Sequence, residues 1–157
     1  MQIIKLPSET WAYLARQDVL GRHEIGSALE GAFDQLTEII ARAGIRTCGQ
    51  PRAHFHYRDG EPIGFDIGFP IDPNDVKAAC QLGLAAGPAD LGRALVHIHR
   101  GPYGKLHEAY RAMEQNLVEL GLKARGDLWE VYLNDPDECR ASDLLTQIVW
   151  PVDDAQV

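Results

Sequence analysis

The chain carries one pattern twice, and this repeat constrains the fold more than any other feature of the sequence. A stretch with an apolar helical face ends at Gly44, and a matching stretch in the second half ends at Gly121. Further along, Phe69-Pro-Ile-Asp72 returns as Trp150-Pro-Val-Asp153 after a short insertion. Two copies are too few, and their period too long, for a solenoid. The repeat therefore predicts a domain that is built from two similar halves.

Each half has the pattern of a strand–helix–strand–strand unit. Apolar residues spaced three and four apart predict helices at 29–43 and 105–120, each ended by its glycine in a left-handed cap. Strands are predicted at 10–15, 53–57, 62–71, 91–99, 128–133 and 144–150. The predicted fold is α+β, with duplicated β-α-β-β units in pseudo-twofold symmetry, antiparallel sheets and a ligand cleft between the halves.

The predicted organisation is a single domain over residues 1–157. Repeat 1 covers about 1–72, a connection covers 73–90, and repeat 2 covers about 91–153. Within the connection, Gly87-Pro88 is typical of a loop, and the weak pattern before it fits a short helix or a loop. Asp59-Gly60 predicts a hairpin turn in repeat 1.

Charge and cysteine content narrow the class of protein. The chain has 157 residues and a formal net charge of −8, with no run of Lys or Arg, so we expect no direct nucleic-acid binding. No signal segment and no bilayer-length apolar run are present, which predicts a cytoplasmic protein without membrane contact. Three widely spaced cysteines, at 48, 80 and 139, indicate reduced thiols.

The most unusual residue is Glu130, which lies inside a strand rich in apolar and aromatic side chains. Burying a carboxylate is costly unless a cation or a hydrogen bond meets it. Strand alternation puts Glu130 and Tyr132 on one side, facing the cleft, and Trp129 and Val131 on the other side, against the helix. The plainer alternative is a solvated edge-strand glutamate, or one that pairs with Arg125 or a histidine.

Several further residues are predicted to line the same cleft. The repeat offset puts Phe55 and Tyr57 on the cleft side, opposite the helix, and alternation in the strand before the second helix adds His97 and His99. Tyr103 follows at the strand-to-helix corner. Aromatic walls around one carboxylate suit a planar hydrophobic cation, through cation–π and stacking contacts. They also suit general acid–base chemistry, because burial raises a carboxyl pKa toward neutrality.

Four histidines raise the alternative of a zinc site. They form two pairs, His54-x-His56 and His97-x-His99, each on one face of a strand. The repeat offset turns the two pairs in different directions, and no Cys or Asp completes a set at motif spacing. We therefore expect neither a metal nor a cofactor.

The second half contains a series of short motifs, which are His99-Arg-Gly-Pro-Tyr-Gly104, the helix that ends at Gly121, Trp129-Glu-Val-Tyr132, Asn134-Asp-Pro136 and Thr146-Gln-Ile-Val-Trp-Pro151. In this order they resemble the GyrI-like small-molecule-binding domain, the effector-binding domain of AraC-type and MerR-type transcription regulators. The resemblance implies the same duplicated architecture and bulky aromatic cations as ligands, held by a glutamate at the position of Glu130. No helix-turn-helix segment precedes the domain, so the stand-alone form is expected.

Three functions remain open at this point. The leading hypothesis is a binder of hydrophobic cationic or aromatic small molecules, in drug binding or sequestration, with Glu130 as counter-ion. The second is a hydrolase that uses Glu130 on strained electrophiles, because the resemblance includes members that hydrolyse cyclopropane-bearing toxins. The third is an interaction protein with DNA gyrase or a separate regulator as partner, because other members resemble gyrase inhibitory proteins.

Overall fold

The computed structural model describes residues 1–16, 25–58, 61–89 and 91–154, so the predicted Asp59-Gly60 turn lies outside the described residues. In chain order the elements are β1 (Gln2–Lys5), β2 (Glu9–Arg16), α1 (Ile25–Ala43), β3 (Arg52–Arg58), β4 (Glu61–Pro70), α2 (Val76–Gln81), β5 (Ala85–Ala89), β6 (Arg93–Arg100), α3 (Leu106–Glu119), β7 (Leu122–Ala124), β8 (Asp127–Tyr132) and β9 (Leu145–Asp154). Short 3-10 turns occupy Pro73–Asp75, Tyr103–Lys105 and Ala141–Asp143.

The protein has the predicted α+β fold, and its chain divides into two compact units. The C-terminal unit comprises Met1–Pro7 and Leu91–Val157, and the N-terminal unit comprises Ser8–Asp90. Each unit contains the predicted strand–helix–strand–strand succession, as β2-α1-β3-β4 in the N-terminal unit and β6-α3-β8-β9 in the C-terminal unit. Within both units the strands pair antiparallel.

The two units order their strands in the same way. The C-terminal unit has the order β1-β6-β9-β8, with β7 also paired to β9, and the N-terminal unit has β5-β2-β4-β3. In each unit an additional strand therefore flanks the first strand of the repeat. For the N-terminal unit this strand is β5, which replaces part of the expected connection. Pro88 lies opposite Thr10 in this outer strand, where a residue without an N–H is tolerated.

The two repeated glycines end their helices as predicted. Gly44 has φ 67° and Gly121 has φ 65°, both in the left-handed region that a side chain with a Cβ disfavours. The N–H of Gly44 donates to the carbonyl of Ala41 at 3.3 Å, and the N–H of Gly121 donates to that of Val118 at 3.1 Å. Helix α1 thus ends one residue before its glycine, and α3 ends two residues before its glycine.

The side of the sheet that faces the helix in the N-terminal unit differs from the prediction. Phe55 lies opposite Phe65, and Ala53 lies opposite Ile67, so they share a face with Phe69, two residues along β4. Phe69 contacts Phe33 of α1 edge to face, with ring centroids 6.3 Å apart. Phe55 therefore lies on the face toward α1, and the prediction that it faces away from the helix is wrong. Alternation separates two sets of side chains, but it does not say which set the helix covers.

Helix α3 buries the apolar stripe that its periodicity predicts. Its buried residues are Leu106, Ala109, Met113 and Leu117. Leu120, also assigned to the stripe, follows the last helical residue and is 52% exposed, because the chain leaves the helix there. Among the described residues, no helix combines the length and the apolar character that a membrane span requires.

Gly68 offers a test of how tightly the N-terminal sheet is packed. A Cβ at this position would overlap the carbonyl oxygen of Ala12 and would lie 2.6 Å from the ring of Trp11, whereas a Cβ at Gly87 would meet no atom within 4 Å. We expect Gly68→Ala to lower the free energy of unfolding by about 1–3 kcal/mol, because β2 must move. Gly87→Ala should change it by less than about 0.5 kcal/mol. Equal losses in urea denaturation would contradict this account of the packing.

Candidate ligand-binding site

The register of three strands places Glu130 in a row of side chains on one sheet face. Glu130 of β8 lies opposite Ile148 of β9, and Ile148 lies opposite His97 of β6. Directly paired residues of antiparallel strands point to the same face. The carboxyl group and the imidazole therefore lie on one face, on either side of Ile148, which is fully buried.

The next row of the same face carries three more polar side chains. Tyr132 lies opposite Thr146, and Thr146 lies opposite His99. Thr146 is fully buried, and its Oγ1 atom has no hydrogen-bond partner among the described residues. Leaving a buried hydroxyl unpaired costs about 1–3 kcal/mol. Thr146 was not predicted as a site residue, because only the pairing of β8 with β9 shows that it lies beside Tyr132.

Glu130 is buried and accepts a hydrogen bond from its strand neighbour Tyr132. Only 5% of Glu130 is exposed, and the Tyr132 hydroxyl donates to its Oε2 at 2.7 Å. Side chains two apart on a strand point the same way, which brings the two groups together. Burial raises the pKa of the Glu130 carboxyl from 4.5 to about 7, although the hydrogen bond from Tyr132 lowers it. Near neutral pH the group can therefore gain or lose a proton.

A second tyrosine extends the site from the start of α3. Tyr103 lies in the 3-10 turn that leads into this helix, and its ring packs edge to face on Tyr132, with centroids 5.7 Å apart and planes at 76°. Burial, and to a smaller extent the nearby Glu130 carboxylate, raise the pKa of Tyr103 and that of Tyr132. Both phenols therefore stay neutral at physiological pH.

The charge of Glu130 has no compensating cation within the described part of the chain. None of the ion pairs there involves Glu130, and Arg125, the partner named in the plainer alternative, lies 3.2 Å from Asp153 instead. Burial, together with the N-terminal amino group and His99, lowers the pKa of His97. His97 is therefore neutral at pH 7, and it offers the carboxylate no positive charge.

The predicted site residues fall into two groups. Glu130, Tyr132 and Tyr103 form a contiguous cluster in the C-terminal unit, and His97 and His99 share its sheet face. Nε2 of His99 also lies 3.4 Å from the carbonyl oxygen of Pro102.

Phe55 and Tyr57 belong to β3 of the N-terminal unit, where the ring centroids of Phe55 and Phe65 are 6.1 Å apart. A register shift between His56 and Tyr57 interrupts the alternation on which the prediction for Tyr57 relied.

The elevated pKa of Glu130 predicts how stability depends on pH. The pKa of Glu130 is about 7 in the folded protein and 4.5 in the unfolded chain, so the folded protein keeps this proton to a higher pH. The free energy of unfolding should therefore fall as pH rises between these two values. The loss is on the order of 3 kcal/mol. Glu130→Gln should abolish this fall, and Glu114→Gln, on the exposed side of α3, should keep it. Denaturation across this pH range measures both, and identical slopes for wild type and Glu130→Gln would contradict the elevated pKa.

Comparison with known proteins places the chain in a family. A family model described as GyrI-like small molecule binding domain matches residues 1–153. No curated protein matches the sequence.

Solved structures show the same fold at low sequence identity. The C-terminal domain of EcmrR is 15% identical with a TM-score of 0.75, covering 98% of this chain and 96% of that domain. SAV2435 bound to tetraphenylphosphonium is 13% identical with a TM-score of 0.68, covering 97% of this chain and 93% of that one. A hydrolase from Listeria innocua is 16% identical with a TM-score of 0.63, covering 97% and 91%. The chain belongs to the family of GyrI-like small molecule binding domains.

Proposed function

We propose that the protein binds bulky aromatic cations and uses Glu130 as their counter-ion. The observation that carries this proposal is a buried carboxyl group with a pKa of about 7 and no cationic partner among the described residues. In the free protein a proton neutralises the group, and a bound cation would take its place. The attraction of opposite charges is strong in such a site because water does not screen them. A protein of the same fold, SAV2435, has been solved with tetraphenylphosphonium bound.

The groups around the carboxylate suit a ligand of this class. Tyr132 and Tyr103 offer aromatic surface for stacking and cation–π contacts, each worth about 0.5–2 kcal/mol. His97 is neutral, so it does not repel a cation. The unpaired hydroxyl of Thr146 is placed to accept or donate one hydrogen bond from this face. The roles assigned to His99 and Tyr57 stay predictions that single substitutions would test. Phe55 lies on the α1 face of its sheet, so we do not assign it to the site.

Tetraphenylphosphonium is the probe that tests the proposal. Glu130→Gln keeps the shape of the site and a hydrogen-bond acceptor for Tyr132 but removes the charge, so its affinity should fall at least roughly tenfold, the effect of about 1.4 kcal/mol. Calorimetric titration measures this, with Glu114→Gln as the matched surface control and triphenylphosphine oxide as a neutral ligand of similar shape. Wild type and Glu130→Gln should bind the neutral ligand equally.

The same titration has a second readout in its pH dependence. Because only the ionised carboxylate attracts the cation, wild-type affinity should rise roughly tenfold per pH unit up to a pH of about 7 and then level off. Glu130→Gln should show no such rise. Equal affinity of both proteins for tetraphenylphosphonium at pH 8 would sink the counter-ion role.

A second candidate function is hydrolysis of strained electrophiles. A carboxyl group with a pKa of about 7 can donate a proton to a substrate and take one from water at neutral pH, which is the property of a general acid–base. Tyr132, bonded to it at 2.7 Å, would orient the carboxyl group. Ring opening would add the hydroxyl of one water molecule to carbon and its proton to the leaving atom.

Incubation with an epoxide or an activated cyclopropane separates this reaction from binding. If the protein is a hydrolase, we expect many equivalents of ring-opened product per protein and a loss of turnover in Glu130→Gln. Uptake of one equivalent without product would exclude hydrolysis of that substrate and leave the binding function. The proposed contact with DNA gyrase or a separate regulator stays a prediction.

A further inference from the structure

We propose that His54, His56 and Asp66 form a binding site for a divalent transition-metal ion of the zinc and cobalt class. The three residues lie in the N-terminal unit, and one ligand atom from each lies within 4.8 Å of the other two. None of these three residues belongs to the set proposed above to bind an aromatic cation. It places two imidazoles and one carboxylate together, which is a donor set typical of zinc and other first-row transition metals.

The pairing of β3 with β4 builds the cluster. His54 and His56 are two apart on β3 and therefore point to the same face, and Asp66 lies directly opposite His54. This face also carries Trp11, whose ring packs edge to face on His54 with centroids 6.3 Å apart. Phe55 lies on the other face, toward α1. The ligands thus come from two paired strands, which hold their backbones in place.

Two of the three distances between ligand atoms lie near those of a closed metal site, and the third, between the two imidazoles, is at most 4.8 Å. Oδ2 of Asp66 lies 2.7 Å from Nε2 of His56 and 3.8 Å from Nδ1 of His54. Metal–nitrogen and metal–oxygen bonds of about 2.0–2.2 Å in tetrahedral geometry require ligand atoms roughly 3.3–3.6 Å apart. Rotation of the His56 ring away from Asp66 would open the shorter distance, and the longer one would contract by a few tenths of an ångström.

The cluster is mostly buried but remains accessible at His56. The side chains of His54 and Asp66 are each 15% exposed, and that of His56 is 40% exposed, so an ion could enter past His56. A metal ion binds imidazole in its neutral form, so the coordinating set of two imidazoles and one carboxylate would have a net charge of −1, which a divalent ion more than compensates. Imidazole nitrogens disfavour Mg²⁺ and Ca²⁺, which prefer oxygen ligands. Three protein ligands leave at least one coordination position for water.

Calorimetric titration with Zn²⁺ and the visible absorption of bound Co²⁺ test the proposal on the full chain. We expect one ion per chain for each metal and no binding of Mg²⁺. His54→Gln, His56→Gln and Asp66→Asn should each weaken Zn²⁺ binding by more than the roughly 10–100-fold caused by loss of an outer-shell partner. His107→Gln, an exposed histidine on α3, should bind Zn²⁺ as wild type does.

Thermal unfolding followed by circular dichroism distinguishes a lost ligand from a lost fold. His56→Gln replaces a partly exposed side chain, so it should fold without metal and should lack the rise in Tm that Zn²⁺ gives to wild type. Absence of Zn²⁺ binding by wild type, or undiminished binding in all three variants, would overturn the proposal. Loss of binding in His97→Gln/His99→Gln, with His54→Gln unaffected, would also overturn it.

Discussion

A carboxyl group buried in a sheet is the constraint on which the chemistry of this protein depends. Ionised Glu130 would cost several kcal/mol in this position without a partner of opposite charge. The protein meets that cost with a proton, since burial raises the pKa to about 7, and with one hydrogen bond from Tyr132. Near neutral pH the group is therefore balanced between its protonated and its ionised form. Both candidate functions, cation binding and acid–base catalysis, follow from that balance.

The duplicated scaffold carries different chemistry in its two units. Strand order, helix position and cap glycines correspond, yet the position that holds Glu130 in the C-terminal unit holds Ala53 in the N-terminal unit. Ala53 is fully buried against apolar neighbours. The polar cluster of the N-terminal unit lies instead on the other face of its sheet, where Asp66 meets His54 and His56. One backbone design therefore supports two separate sets of ionisable side chains, because each strand has two faces.

Cross-strand pairing explains what the sequence analysis missed. Asp66 follows His54 by twelve residues, and the two become neighbours only when β3 pairs with β4. No metal-binding motif has this spacing. In the sequence, Thr146 is an ordinary residue of an apolar strand. Only the pairing of β9 with β8 shows that it lies beside Tyr132. The strand at Ala85–Ala89 escaped prediction because Gly87 and Pro88 suggest a loop. In each case the deciding neighbour is distant along the chain.

The sequence by itself determined the repeat, both long helices, their glycine caps and most strands, because periodicity and capping are local properties of consecutive residues. It also identified Glu130 as out of place and paired it with Tyr132, since alternation links residues two apart. Only the tertiary structure decided which sheet face α1 covers, that Tyr103 packs on Tyr132, and which residues lie across from Glu130 and His54. These depend on strand register and on the packing of helix against sheet, which contacts between distant segments determine.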